Sequence, residues 1–333
     1  MTMRTPSGVR IAGTGSAVPD RKLTNADFER MLDTSDEWIC TRTGIRERRI
    51  IDPSKEDQVS LATQALRNAL ADAEMDASEL DFIINATVTA EMTCPSNACR
   101  ISAEVGAVPA GAMDLVAACS GFVYGLNVAE PLVHSRRYRN VAVIGCDVMS
   151  TVSDYNDRSV SILFGDAAGA VILKADDSGE VGCLHQAMHA DGSGWHALYL
   201  PRREKDVPAE DADNPIRLGC LRMNGREVYK FAVTKFREVI EDAMTGAGIS
   251  VSDVSQFVCH QMNVRIIDSA IEKIGLPRDR VRINIDRYGN TSAGSVGLVF
   301  DQLRREGAAK RGDIVVLVAF GGGLTWASSV WKL

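Results

Sequence analysis

Met113-Asp114-Leu115-Val116-Ala117-Ala118-Cys119-Ser120-Gly121-Phe122 is an apolar run that stops at a thiol, after which small residues open a new segment. From Gly121 to Val133 the apolar positions Phe122, Leu126, Ala129 and Val133 recur at spacings of three and four, which predicts a helix. A cysteine between a buried strand and a helix start lies at the positive end of that helix's dipole, an arrangement expected to lower its pKa. Taken alone, Cys119 also fits a small buried core cysteine, since free cysteines are among the most buried residues.

Two later segments weigh against that plain reading. Phe257-Val258-Cys259-His260-Gln261-Met262-Asn263 and Tyr288-Gly289-Asn290-Thr291-Ser292-Ala293-Gly294 each end a strand or turn with a side chain suited to donating to an oxyanion. Singly, His260 fits a structural histidine and Asn290 a turn residue. A nucleophile, an imidazole and an amide recurring at strand ends form a catalytic constellation.

The rest of the chain alternates short β-rich runs with helical periods, so the fold class is α/β. Val9 to Ala12, Phe82 to Thr87, Val141 to Gly145 and Ala170 to Leu173 read as buried strands. Val59, Ala62, Leu66, Ala69, Leu70 and Ala73 mark a helix face, with Ser54 and Asp57 as its expected capping box. Val228, Phe231, Ala232, Val239, Ile240 and Ala243 mark another.

The rhythm repeats. Ser78-Glu79-Leu80-Asp81-Phe82-Ile83-Ile84 is echoed by Ser252-Asp253-Val254-Ser255-Gln256-Phe257-Val258, an offset of 252 − 78 = 174, and Val141-Ala142-Val143-Ile144 by Ile314-Val315-Val316-Leu317, an offset of 314 − 141 = 173. This predicts a duplication, with residues 1–174 carrying Cys119 and 175–333 carrying His260 and Asn290. Two unrelated α/β units are the alternative. If the halves pack about a pseudo-two-fold, equivalent strand ends converge and the three side chains meet. The stretch from Arg202 to Arg217, with Pro208 and Pro215 inside it, reads as a locally disordered surface excursion.

The chain has 333 residues, 45% of them hydrophobic and 24% charged, in the range of ordinary globular proteins. A net charge of −7 argues against nucleic-acid binding, which requires a basic face. No apolar run approaches the ~20 residues of a membrane helix, and Met1 to Gly8 lacks an apolar signal core. A cytoplasmic protein is expected. The eight cysteines form no C-x-x-C pair and the five histidines no H-E-x-x-H, so neither disulfides nor a metal is expected. Gly321-Gly322-Gly323 is not a phosphate loop, because no Lys-Ser/Thr follows; by itself it is a tight turn. Gly13-Thr14-Gly15 lacks the third glycine of a dinucleotide fingerprint, with Val18 in its place.

These motifs resemble the β-ketoacyl-[acyl carrier protein] synthase III family of thiolase-like condensing enzymes. The resemblance runs nearly end to end and includes Asp36-Glu37-Trp38-Ile39, Thr41-Arg42-Thr43-Gly44-Ile45, Phe164-Gly165-Asp166-Ala167-Ala168-Gly169-Ala170, Met223-Asn224-Gly225-Arg226-Glu227-Val228 and Phe320-Gly321-Gly322-Gly323-Leu324-Thr325-Trp326. It implies a five-layer αβαβα fold of two duplicated halves and a homodimer. The implied activity is an acyltransferase that primes fatty-acid synthesis by condensing an acyl-CoA with malonyl-acyl carrier protein, without a cofactor. Carried over by position, Cys119 is the nucleophile, His260 and Asn290 stabilise the enolate, and Gly322 with Cys119 supplies backbone donors for the tetrahedral oxyanion.

The same resemblance assigns Thr34, Trp38, Arg42, Arg158 and Asn263 to the coenzyme A channel, Lys230 and Arg265 to carrier-protein docking, and Cys94 and Phe320 to the acyl pocket. As isolated residues Arg42, Arg158 and Lys230 fit ordinary surface charges. Departures from the family pattern, namely Ser159, Cys259, Met262 and Ala327, remove no catalytic group. Cys94 stands where an aromatic residue shortens the partner subunit's acyl pocket, so primers longer than acetyl are expected. Rival readings are a sister condensing enzyme of secondary metabolism or acyl-chain joining, a papain-like cysteine protease with the same Cys, His, Asn order, and an inactive carrier-protein-binding module.

Overall fold

A computed structural model describes residues 2–214 and 217–333. Pro215, which the sequence reading placed in the surface excursion, lies outside the described residues. The chain begins with β1 (Val9–Ala17), the short strand β2 (Lys22–Thr24), helices α1 (Asn25–Met31) and α2 (Asp36–Thr43), and β3 (Glu47–Arg49), which pairs with β2. Then come α3 (Gln58–Asp72), β4 (Phe82–Ala86), α4 (Asn97–Val105), β5 (Gly111–Leu115), α5 (Gly121–His134), β6 (Asn140–Val148), the single turn α6 (Arg158–Ser161) and β7 (Asp166–Ala175). The remainder comprises β8 (Gly182–Ala190), a two-stranded β9 (Leu198–Tyr199) and β10 (Arg222–Met223), α7 (Gly225–Ala247), β11 (Gln256–Cys259), α8 (Val264–Ile274), α9 (Ile285–Tyr288), α10 (Gly294–Arg305), β12 (Ile314–Gly321) and β13 (Thr325–Lys332).

Two sheets organise these elements. The first has the order β1-β7-β6-β4-β5 and the second β11-β12-β13-β8. Strand β4 is parallel to both β5 and β6, as β11 is to β12, and the remaining pairs are antiparallel. Read from the far edge, β1-β7-β6-β4 and β8-β13-β12-β11 are equivalent, with β5 as an extra edge strand on the first sheet. Helices α3 and α4 cover the outer face of the first sheet, α7 and α8 that of the second, and α5 and α10 lie between the sheets. The result is the expected five-layer αβαβα fold with repeated halves. Strand β7 ends at Ala175 and β8, in the second sheet, begins at Gly182.

Amphipathicity follows layer position. Helix α3 buries Val59, Ala62, Leu66, Ala69 and Leu70 on one face. Helix α5, packed on both sides, buries residues around most of its circumference, from Gly121 and Phe122 through Leu126, Ala129 and Val133. The central core joins Phe122, Leu126, Val296, Phe300, Val143, Val171, Val315 and Leu317.

Two local expectations are corrected. The capping box of α3 pairs Asp57 with Ser60, not with Ser54: Asp57 is the N-cap, accepts from the Ser60 N–H at 2.7 Å and donates its own N–H to Ser60 Oγ at 2.9 Å. Ser54 instead donates to Asp52. The segment 202–214 is not structureless, for it contains 3-10 turns at Glu204–Asp206 and Ala209–Asp211, and Tyr199 Oη donates to Asp211 Oδ2 at 2.6 Å.

Helix α10 approaches β7 through glycines. A Cβ on Gly169 would sit 2.4 Å from the Gly297 carbonyl carbon, a distance only backbone movement could relieve. Gly169→Ala should therefore lower stability by about 1–3 kcal/mol through overpacking, read from the urea midpoint. An unchanged midpoint would contradict this packing.

Candidate active site

Cys119 follows β5 in a 3-10 turn, Ala118–Ser120, immediately before α5. Ala118 has φ 47°, a left-handed conformation that turns the chain sharply at the nucleophile. The sulfur thus stands at the N-terminal end of a helix whose first N–H groups have no side-chain cap. His260 follows β11 and donates its N–H to the Val318 carbonyl of β12 at 2.9 Å. Asn290 lies between α9 and α10. Its N–H donates to the Leu163 carbonyl at 2.8 Å and its carbonyl accepts from the Gly165 N–H at 3.0 Å, docking the second half's loop onto the first.

All three side chains line one cleft, with Phe164, Leu198, Met223, Phe231, Met262, Phe320 and Leu324 among its apolar walls. Cys119, His260 and Asn290 are respectively 7%, 1% and 7% exposed, so water is largely displaced where they meet. Convergence of the strand ends brings together the residues that the sequence separates.

The tautomer of His260 follows from its neighbours. His260 Nδ1 lies 2.6 Å from Ser295 Oγ, which also accepts from the Gln261 N–H at 3.5 Å. The Ser295 hydroxyl can donate to Nδ1, and in that arrangement the ring proton sits on Nε2. Burial pushes the imidazole pKa down to about 3, keeping it neutral. Asn290 Oδ1 accepts from the Ser292 N–H at 2.9 Å, which commits the amide oxygen and leaves Nδ2 as the donor. Both polar groups are set to give hydrogen bonds.

The expectation of a lowered thiol pKa is reversed. Burial pushes Cys119 up to about 12, and the nearby Asp147 charge acts in the same direction, against hydrogen bonding with Ser292. The helix N-terminus is present as expected, but loss of water dominates. The resting sulfur is a thiol.

The glycine turn after β12 packs on the nucleophile. A Cβ at Gly321 would fall 2.8 Å from the Cys119 nitrogen and 2.9 Å from the Ala117 carbonyl oxygen, so only glycine fits there. Thr325 Oγ1 bonds Ala117 O at 3.1 Å, Ser120 Oγ at 3.1 Å and Gly322 O at 3.2 Å, lacing this turn to that of Cys119. Gly322 is thereby held beside the nucleophile.

The channel residues divide. Arg42, Asn263 and Arg265 share a surface opening with Arg226 and Tyr229, and Asn263 also lines the main cleft. Asn263 caps α8 and donates Nδ2 to the Arg42 carbonyl at 3.0 Å. Trp38 is flanked by the guanidinium carbons of Arg42 and Arg158, 5.6 and 4.9 Å from its ring centre. Arg158 lines a separate shallow cavity with Ser159, Arg217 and Arg222. Thr34 Oγ1 is buried near Trp38's helix without a hydrogen-bond partner among the described residues. Lys230, on α7, lines neither cleft nor mouth. Cys94 is exposed and stands outside the cleft, whereas Phe320 lines it.

Sequence reasoning missed Ser292, Ser295, Thr325 and Asp147. The serines lie within or beside the quoted Asn290 motif, and Asp147 announces itself only as a carboxylate closing the apolar run Val141–Cys146. Among the described residues no group of three or more His, Cys, Asp or Glu side chains could hold a metal, and no helix is long and apolar enough to cross a membrane.

The buried thiol makes a direct prediction. Thiolate content rises tenfold per pH unit below the pKa, so alkylation of Cys119 by iodoacetamide in the free protein should climb steadily from pH 7 to 10. Titration of His260 should leave no inflection near pH 6. A rate that levels off by pH 8 would contradict the burial argument.

Comparisons with known proteins agree with this architecture. The family 3-Oxoacyl-[acyl-carrier-protein (ACP)] synthase III matches residues 113–192, and the family for its C-terminal part matches residues 244–333. The β-ketoacyl-[acyl-carrier-protein] synthase III of Caldanaerobacter subterraneus is 46% identical over 97% of both chains. Crystal structures of the Aquifex aeolicus and Thermus thermophilus synthases III each superpose with a TM-score of 0.90. They are 41% and 40% identical and cover 98% and 97% of this chain, and 100% and 98% of their own. Identity of this degree, sustained along nearly the whole length and matched by the backbone, makes this chain a member of the β-ketoacyl-[acyl-carrier-protein] synthase III family.

Proposed function

We propose that this protein condenses an acyl-CoA primer with malonyl-acyl carrier protein, yielding 3-oxoacyl-acyl carrier protein, coenzyme A and carbon dioxide, as the initiating step of type II fatty-acid synthesis. The observation that carries the reading is the single apolar cleft shared by the thiol of Cys119 and the two hydrogen-bond donors, His260 and Asn290. A papain-like protease does not fit a repeated αβαβα architecture. Relatives 42–46% identical that bear the synthase III name support fatty-acid priming over a sister pathway.

The chemistry follows from the donors. As acyl-CoA enters, Cys119 loses its proton and the sulfur attacks the thioester carbon; coenzyme A leaves as its thiol, and the acyl group rests on Cys119. Thioester exchange is nearly isoenergetic, so the nucleophile must also be a competent leaving group, which a thiolate is. Malonyl-carrier protein then binds with its thioester oxygen against His260 Nε2–H and Asn290 Nδ2–H. Breaking the carboxylate's C–C bond releases carbon dioxide and leaves the electron pair as an enolate stabilised by these two donors. A neutral imidazole suits this role, because it donates without surrendering its proton. The carbanion attacks the acyl carbon, the backbone N–H groups of Cys119 and Gly322 hold the oxyanion, and collapse returns the sulfur as thiolate.

The arginines at the mouth, Arg42, Arg226 and Arg265, fit anionic substrates on a chain of net charge −7: nucleotide phosphates within the channel and an acidic carrier protein at its rim. The edge strand β5 and the neighbouring Val108 and Val116, 68% and 77% exposed, support a homodimer formed there. Cys94 would then extend from each subunit towards its partner's cleft, widening it relative to an aromatic residue. No cofactor is needed for these steps.

The test uses purified protein, malonyl-carrier protein and a panel of acyl-CoAs, with products identified by mass. Cys119→Ala should lose the acyl-enzyme burst entirely. His260→Ala and Asn290→Ala should each retain acylation but lose decarboxylation by about 10²–10³-fold. C4–C8 acyl-CoAs should be used with kcat/KM at least equal to that of acetyl-CoA. Burst labelling that survives Cys119→Ala would overturn the mechanism, and a strong preference for acetyl-CoA the pocket assignment.

A further inference from the structure

Asp147 lies near the end of β6 and is completely buried, yet the condensation just described makes no use of it. Its two oxygens serve different halves of the protein. Oδ1 accepts from Thr87 Oγ1 at 3.0 Å, the Val88 N–H at 2.8 Å and Thr89 Oγ1 at 3.0 Å, all in the segment after β4. Oδ2 accepts from the Ala293 N–H at 3.1 Å, across the boundary between the repeats. Ala293 is the N-cap of α10, so this N–H belongs to a helix start where a carboxylate is favoured.

The turn so gripped is the one that carries Asn290. Ser292 within it has φ 49°, a conformation that a serine adopts only under external constraint. The Ser292 N–H is the group that fixes the Asn290 amide. We propose that Asp147 is a positioning residue for decarboxylation: by holding the Ala293 N–H it keeps the Asn290–Ala293 turn in the shape that presents Asn290 Nδ2 to the malonyl thioester. The inference rests on the enolate-stabilising role read for Asn290. Burial raises the Asp147 carboxyl pKa and its hydrogen-bond donors oppose that shift, consistent with a carboxylate that is solvated by the protein instead of by water.

Asp147→Asn separates the two jobs of the side chain. The asparagine oxygen can still accept from Thr87, Val88 and Thr89, while its NH₂ replaces the acceptor that faced Ala293. Two partial reactions of the full-length protein are compared: carbon dioxide release from malonyl-carrier protein alone, and single-turnover acylation of Cys119 by acyl-CoA. Asp147→Asn should slow decarboxylation about 10²-fold, as expected for a misplaced group, and should not slow acylation, which loss of a negative charge near Cys119 favours. In an Asn290→Ala background the same change should cost decarboxylation nothing further, because its effect runs through Asn290.

Equal losses in both reactions, unchanged decarboxylation, or additive losses in the Asn290→Ala background would each overturn the proposal. Asn290→Ala that decarboxylates at the wild-type rate would instead remove the role of Asn290 itself, and this inference with it. If Asp147→Asn does not accumulate folded, Thr87→Val, which removes one donor from the same carboxylate, is judged by the same split and the same double-mutant criterion.

Discussion

Helices α5 and α10 are buried between two sheets, and that double burial constrains everything built around them. Both helices are buried along most of their length, and each packs against strands of both sheets. The start of α5 carries Cys119 and the start of α10 follows Asn290, so the packing that forms the core also juxtaposes the reacting groups. The close approach of Gly169 to Gly297 sets how deeply α10 can seat. The site is a by-product of the core in this sense: the strands end, and the central helices begin, at a common level.

The second constraint is electrostatic. A thiol, an imidazole and a carboxylate share a space from which water has largely been removed, and each responds by moving towards its uncharged form. For His260 this is useful, because a neutral ring can donate to an enolate without giving up its proton. For Cys119 it delays activation until a substrate arrives. Asp147 is surrounded by enough N–H and O–H groups to be held in place without a countercharge.

Much of this was legible in the residues. The spacings of apolar positions located the strands and the faces of α3, α5 and α7, and the offset of about 174 residues anticipated two sheets of equivalent order. Cys119, His260 and Asn290 stood out because each follows a strand or turn. The direction of the thiol shift was not legible, since a helix N-terminus can be read from sequence but the depth of burial beside it cannot. The partner of Asp57 was misjudged because Ser54 and Ser60 flank it at equal distance, and only the backbone path decides between them. Ser295, Thr325 and Asp147 act across tens to hundreds of residues of chain, and no local pattern marks such pairs.

A sulfur kept protonated and out of solvent is also a poor target for peroxide, because oxidation to the sulfenic acid proceeds through the thiolate. Cys99, exposed at the surface of α4, would meet an oxidant first. The burial that makes Cys119 wait for its substrate therefore doubles as redox shelter, sparing the idle enzyme from the damage to which a permanently activated nucleophile would be open.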